Sequence, residues 1–335
     1  MTSMLSKWLR TGLFALVFGL FSLSAPAFAQ GSVNPTAQSV KETQLFQALK
    51  PGEALAGRVS IPNKAAGNLI QPGRDWRAYN QETLPKIGAI AILGVIALLV
   101  VFYLVRGKIR IDAGPSTMKI LRFGAIDRFV HWLTALSFLM LAITGANVTF
   151  GKKILAPILG PEGFAAWASF AKLIHNYVGF AFMVGVALTF IIWVKDNMPS
   201  AVDAKWFAAA GGLLSKGSHP PARRFNGGQK IVFWSVVIGG VLMSISGWHL
   251  LFPTAEGISE AQFHATLHGT VAFLMTALII GHIYIGSVGM EGAFDAMGSG
   301  EVDLNWAKEH HSLWVKEEQE RKSGSRISGA AQPAE

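Results

Sequence analysis

Apolar residues gather into five long runs, 87–105, 129–150, 173–194, 231–252 and 263–290, divided by shorter polar segments. A helix of about 17–25 apolar residues crosses a hydrocarbon core of about 30 Å, so the pattern predicts five membrane-spanning helices. The polar segments are not alike. Segment 106–128 holds six basic residues (Arg106, Lys108, Arg110, Lys119, Arg122, Arg128) against two acidic ones. Segment 195–230 holds another six (Lys195, Lys205, Lys216, Arg223, Arg224, Lys230), whereas 253–262 has none. Lys152, Lys153 and Lys172 weaken this contrast without reversing it. The bias places the two basic segments on the cytoplasmic side.

Residues 1–29 read as a secretory signal, with Lys7 and Arg10 ahead of an apolar core at 13–23 and Ala27-Phe28-Ala29 before Gln30. The same stretch would also serve as an uncleaved first span, but it is short and Pro26 follows it. Cleavage leaves the N-terminus outside the cytoplasm, in agreement with the charge bias. Residues 30–84 are polar, with no sustained periodicity; they read as an extracytoplasmic segment ordered by a partner, or as a disordered linker. The expected organisation is an additional transmembrane helix at 85–106, a four-helix core at 120–290 and a cytoplasmic tail at 291–335 with a charged, solvated stretch at 317–322. The setting is a bacterial cytoplasmic (inner) membrane crossed several times.

Composition agrees. The chain is 51% hydrophobic and 15% charged, with a mean hydropathy of +0.39, as in integral membrane proteins. Its net charge of +9 lies in the short segments between spans, so it argues for membrane orientation and against nucleic acid. There is no cysteine, which excludes iron–sulfur clusters, thiolate-bound metals, disulfides and covalent haem attachment within this polypeptide.

The candidate chemistry lies in four histidines within the spans. His268 and His282 are 14 residues apart in one run. That spacing falls about 40° short of four full helical turns, so both rings leave one face, roughly 21 Å apart along the axis. The topology turns sequence position into depth. His131 opens the second span from the cytoplasmic side, level with His282; His175 opens the third from the outside, level with His268. One histidine in a span is ordinarily a packing residue, but four at matched depths point to two bis-histidine haems. An imidazole with one nitrogen on iron and the other donating to a polar group has both nitrogens satisfied. His264 and His268 stand at i,i+4, a spacing that also suits zinc, whereas His249 and His264 sit at the membrane edge and read as interfacial. Gly179, Gly269 and Gly281 adjoin the histidines and would let a flat macrocycle approach the backbone, although glycine is common at helix contacts too.

Laid out in order, these residues resemble the cytochrome b (gamma) subunit of membrane-bound respiratory formate dehydrogenase, over about residues 120 to 316. The carriers are Ile126-Asp127-Arg128-Phe129-Val130-His131-Trp132, Ile174-His175 with Gly179, and Arg224-Phe225-Asn226-Gly227-Gly228-Gln229-Lys230 running into Phe233-Trp234-Ser235. Leu267-His268-Gly269, His282-Ile283-Tyr284 and Trp306-Ala307-Lys308-Glu309-His310-His311 with Trp314 complete the set. Cytochrome b subunits of nickel–iron hydrogenase and thiosulfate reductase share the histidines; the Asn-Gly-Gly-Gln-Lys segment and the Trp-Ala-Lys-x-His-His tail favour formate dehydrogenase.

The resemblance implies an all-α membrane protein, a four-helix core with two b haems. His175 and His268 would ligate the outer haem iron, and His131 and His282 the inner. It implies a quinone site (menaquinone or ubiquinone) on the cytoplasmic side at Asn226, Gly228 and Gln229, residues that by themselves read as a helix cap and turn. It also implies an iron–sulfur (beta) subunit and a molybdenum- or tungsten-containing catalytic (alpha) subunit as partners. The signal, segment 30–84 and the additional helix have no counterpart in the compact four-helix form.

Overall fold

The computed structural model describes residues 72–253 and 257–330. The expected signal at 1–29 and most of segment 30–84 lie outside the described residues. Helix α1 (Pro72–Ala78) leads through a π-helical turn (Tyr79–Thr83) into α2 (Leu84–Arg106). Strand β1 (Lys119–Leu121) precedes α3 (Ala125–Ile154) and the long α4 (Ala156–Trp193). After the short α5 (Ala201–Ala208) come α6 (Gly227–Leu251) and α7 (Ile258–Tyr284). The chain ends with α8 (Asp295–Gly298), β2 (Glu301–Asp303), α9 (Leu304–His310) and α10 (Ser312–Ala330). Among the described residues five helices are long and apolar enough to cross a membrane, one for each run in the sequence.

In the bundle α3 packs on α4, α4 on α6 and α6 on α7, while α2 lies outside against α7. Small residues set the closest approaches. A Cβ at Gly240 would lie 2.6 Å from Val186, and one at Gly185 would lie 2.6 Å from the Thr134 hydroxyl. Gly240→Leu is therefore expected to force α6 off α4 at a cost of about 1–3 kcal/mol, read as a lower midpoint in a thermal melt. Ile90, Leu98 and Leu104 of α2 are more than 60% exposed, which suits a helix whose outer face meets lipid.

The first and third spans depart from the sequence expectation at their starts. Segment 30–84 shows no sustained periodicity in sequence, yet its last residues are helical and continue into α2. The wide π turn falls just before Pro85, which lacks the N–H and would crowd the carbonyl four residues back in a regular helix. Trp76 Nε1 ties this extension to α7, donating to the Gln262 carbonyl (3.1 Å) and the Thr266 hydroxyl (3.0 Å). Helix α4 begins well before its apolar run, bending at Gly160 (φ 72°), ahead of Pro161.

The tail differs more. Rather than hanging free, residues 290–315 close over one end of the bundle. β1 pairs antiparallel with β2, Lys119 opposite Asp303. Phe123, Trp193, Phe225, Val302, Trp306 and Trp314 form a buried core beneath them. Arg122 lies within it, its guanidinium 5.1–5.4 Å from the rings of Phe123, Trp306 and Trp314 and its Nη2 donating to the Arg224 carbonyl. Burial, reinforced by Arg224, lowers its pKa to about 9, which leaves it charged at neutral pH.

The cap also buries His310 and His311. Burial first, then the charges of His219 and Arg122, lower the His310 pKa to about 4, with Asp112 opposing; burial and Arg122 depress His311 well below its ordinary value. A histidine with a depressed folded pKa favours folding while neutral. The cap is therefore at full strength above about pH 6.5 and weakens as pH falls toward 4, because the unfolded chain binds the proton first. The intrinsic fluorescence of Trp306 and Trp314 should report loosening in that window, and His310→Gln should flatten the response.

Candidate functional site

Each of the four histidines is held from a fixed helix end or a helix contact. The Asp127 carboxylate accepts the Gly124 N–H (3.0 Å) at the start of α3 and Trp193 Nε1–H (2.7 Å) from the end of α4. It also pairs with Arg224 (3.2 Å), which reaches Asp196 with its other nitrogen. This fixes the first turn of α3, and His131 follows four residues later. His131 packs edge-on against Trp132 (5.2 Å), whose Nε1 donates to the Met297 carbonyl of the cap (2.9 Å).

The structure brings the histidines together in two pairs. His131 of α3 faces His282 of α7 with ring centroids 6.2 Å apart, and His175 of α4 faces His268 of α7 at 6.2 Å. An iron between two imidazole nitrogens, with bonds of about 2 Å and roughly 1 Å from each nitrogen to its ring centre, separates the centroids by about 6 Å. Both pairs fit that geometry. A Cβ added at Gly179 or Gly281 would meet no protein atom within 4 Å, so the backbone beside His175 and His282 is open to a flat macrocycle. Gly269 differs, because a Cβ there would press on Leu84 of α2 at 3.1 Å; it is a helix contact.

The pair at the uncapped end carries a device that the sequence reading missed. His175 Nδ1 lies 2.8 Å from the Thr144 hydroxyl, and that hydroxyl donates its one hydrogen to the Met140 carbonyl (2.7 Å). It can therefore only accept from His175, which puts the ring proton on Nδ1 and a lone pair on Nε2. Ser246 repeats the arrangement: its hydroxyl donates to the Leu242 carbonyl (2.7 Å) and takes the His268 Nδ1–H (2.9 Å). Each ring then keeps its Nε2 lone pair, the form in which an imidazole ligates a metal ion. The residue after each hydroxyl is glycine. A Cβ at Gly145 would lie 3.6 Å from the His175 ring and one at Gly247 3.3 Å from His268. Thr144-Gly145 and Ser246-Gly247 are thus matching clasps, and a hydroxyl–glycine dipeptide repeated in two spans was the available signal. The capped-end pair has no such clasp, and His131 Nδ1 is buried without a hydrogen-bond partner.

His264 does not join His268 in a zinc-like cluster. It stacks face to face on His249, 4.0 Å apart with planes 5° from parallel. Among the described residues no group of three or more histidines or carboxylates is placed to hold a metal.

Asn226, Gly228 and Gln229 form the start of α6 at the capped end. Asn226 Oδ1 accepts the Gln229 N–H (2.9 Å) and Gln229 Oε1 accepts the Asn226 N–H (3.1 Å), a reciprocal capping box. The box uses both acceptor oxygens and leaves the two side-chain NH2 groups outside it. Trp206 and Phe207 of α5 lie over this turn, where a Cβ at Gly227 would come within 2.9 Å of Phe207 and one at Gly228 within 2.8 Å of Trp206.

The sequence profile of the prokaryotic cytochrome b561 family matches residues 122–300, which hold both histidine pairs and the capping box. Among curated proteins, the chain is 30% identical to the formate dehydrogenase cytochrome b556(fdo) subunit of Escherichia coli K12 over 202 residues, 59% of this chain and 92% of that protein. It is 25% identical to the nitrate-inducible formate dehydrogenase cytochrome b556(Fdn) subunit of the same strain over 204 residues, 59% of this chain and 91% of that one. The formate dehydrogenase cytochrome b556 subunit of Haemophilus influenzae is 28% identical over 207 residues, 60% of this chain and 84% of the relative. With more than half its length matched and its histidines paired across the bundle, the chain belongs to the prokaryotic cytochrome b561 family.

Proposed function

We propose that the chain is the membrane-anchoring diheme cytochrome b subunit of a formate dehydrogenase. A cytochrome of this family carries b-type haem in a multi-pass membrane protein. The observation that carries the finer reading is the pair of facing imidazole couples at two levels of one bundle, joined to relatives all named as formate dehydrogenase subunits. His175 and His268 hold the outer haem, and His131 and His282 the inner one. Haem, when bound, supplies one-electron transfer between an extracytoplasmic iron–sulfur subunit and quinone on the cytoplasmic side. The formate chemistry belongs to a molybdenum- or tungsten-containing partner. The capped end faces the cytoplasm, as its basic segments favour. Each charge moved inward works against about 2.3 kcal/mol per 100 mV of membrane potential.

For quinone, the Asn226 and Gln229 NH2 groups and the α6 backbone around Gly228 are the donors available to a carbonyl at that end. The test is a reduced-minus-oxidised optical spectrum of the purified complex with haem counted per chain. Two b-type haems, both reduced by formate, are expected; a colourless chain, or haems that formate leaves oxidised, would sink the reading.

The clasps make a separate prediction. A hydrogen bond from Nδ1–H makes a ligating imidazole more basic and favours ferric iron. Thr144→Val and Ser246→Ala should keep both haems but raise one midpoint potential by roughly tens of millivolts, leaving the other in place. A potentiometric titration followed optically checks this.

A further inference from the structure

Helix α2, which lies outside the residues matched by the family profile, forms with α7 a groove of about 400 Å³ within the spans. Ile96, Val100 and Leu104 line one wall, and Ile280, Ile283 and Val288 the other, over a length of roughly 12 Å. Tyr103, Tyr284 and Ser287 also line it. The Tyr284 ring is held edge-on by Phe102 at 6.2 Å and fits over Gly289, where a Cβ would come within 2.6 Å, which fixes the wall at that end.

The rim at the capped end is basic and rigid. Gly107, at φ 70°, ends α2, and the chain then runs beside the end of α7, with Ile109 N–H bonded to the Gly289 carbonyl and Glu291 N–H to the Ile109 carbonyl. Ile109 is buried by this pairing, while Lys108 and Arg110 stay exposed on either side of it, and Arg106 is anchored through Nε to the Leu213 carbonyl. The nearby acid, Glu291, turns its carboxylate to the Ile111 N–H. From groove to rim the chemistry runs from apolar wall to cations.

We propose that this groove binds one anionic phospholipid. An acyl chain lies along Ile96–Leu104, and the phosphate sits against Lys108 with Arg106 and Arg110. An isoprenoid quinone would satisfy the wall but leaves the basic rim without a role.

The test uses the full-length protein, with its copurifying subunits, extracted in mild detergent and washed to constant phosphorus content, then analysed by native mass spectrometry. One anionic phospholipid per chain is expected to survive washing. Val100→Trp, which fills the groove, should abolish it while leaving the haem spectrum as it was. Should that variant fail to fold, a milder change carries the test. Lys108→Gln should weaken recovery of the lipid from anionic nanodiscs by about five-fold with no change for zwitterionic lipid. A lipid retained equally by all variants, zwitterionic lipid held as tightly as anionic, or a retained quinone would each overturn the proposal.

Discussion

His282→Ala is expected to leave one b haem per chain instead of two and to abolish quinone reduction by formate. His282 sits 6.2 Å from His131 at the capped end, and nothing else described at that level offers a second imidazole to the same partner. The other pair stands 14 residues up the same helix with its own hydroxyl clasps, so its haem should remain, visible as half the original absorbance. Formate oxidation measured with an artificial acceptor should survive, because that chemistry belongs to the partner. Loss of both activities would indicate that the complex had fallen apart. Full quinone activity with one haem would overturn the assignment of the inner pair.

Asp127→Ala should be the most damaging change away from the histidines. This carboxylate takes one backbone N–H, one indole N–H and one guanidinium contact, and so joins the start of α3, the end of α4 and the approach to α6. Removing it strips the cap from the helix that carries His131 and leaves the half-buried Arg224 with Asp196 alone. The combined loss is on the order of 3 kcal/mol, since hydrogen bonds to a charged group contribute about 1.5–3 kcal/mol each and do not add fully. A thermal melt should show it, together with early loss of haem from the capped-end pair. Asp127→Asn keeps acceptors for Gly124 and Trp193 and should cost less than half as much.

The five spans and the pairing of the histidines could be read from the chain because both depend on one-dimensional quantities: run length, charge bias and helical spacing. The 14-residue separation of His268 and His282 needs only the helical repeat. The clasps were missed for a different reason. The repeated hydroxyl–glycine dipeptide marks the positions, but Thr144 and Ser246 meet their histidines across helix contacts, 31 and 22 residues away in sequence, and no spacing rule links the partners. Gly179 and Gly281 were picked out correctly as open backbone, whereas Gly269 was assigned the same role and instead touches Leu84. Helix ends were misjudged where backbone continuity outran hydropathy, as at Pro72–Ala78 and in the first part of α4. The cap was missed because its parts, around Ile111, Phe123, Phe225, Val302 and Trp314, are single apolar residues in polar segments. They become a core only once the bundle brings those segments to one end.

That cap also sets a timetable for biogenesis. Lys119 leaves the ribosome 184 residues before its ladder partner Asp303, and at about 5–20 residues per second the interval is roughly ten to forty seconds. All the later spans must enter the bilayer while β1, Arg122 and Phe123 wait with their partners unmade. Sealing of this end therefore follows the making of all five spans, and a ribosome that stops short of Trp306 releases a chain with its spans in place and its lid missing.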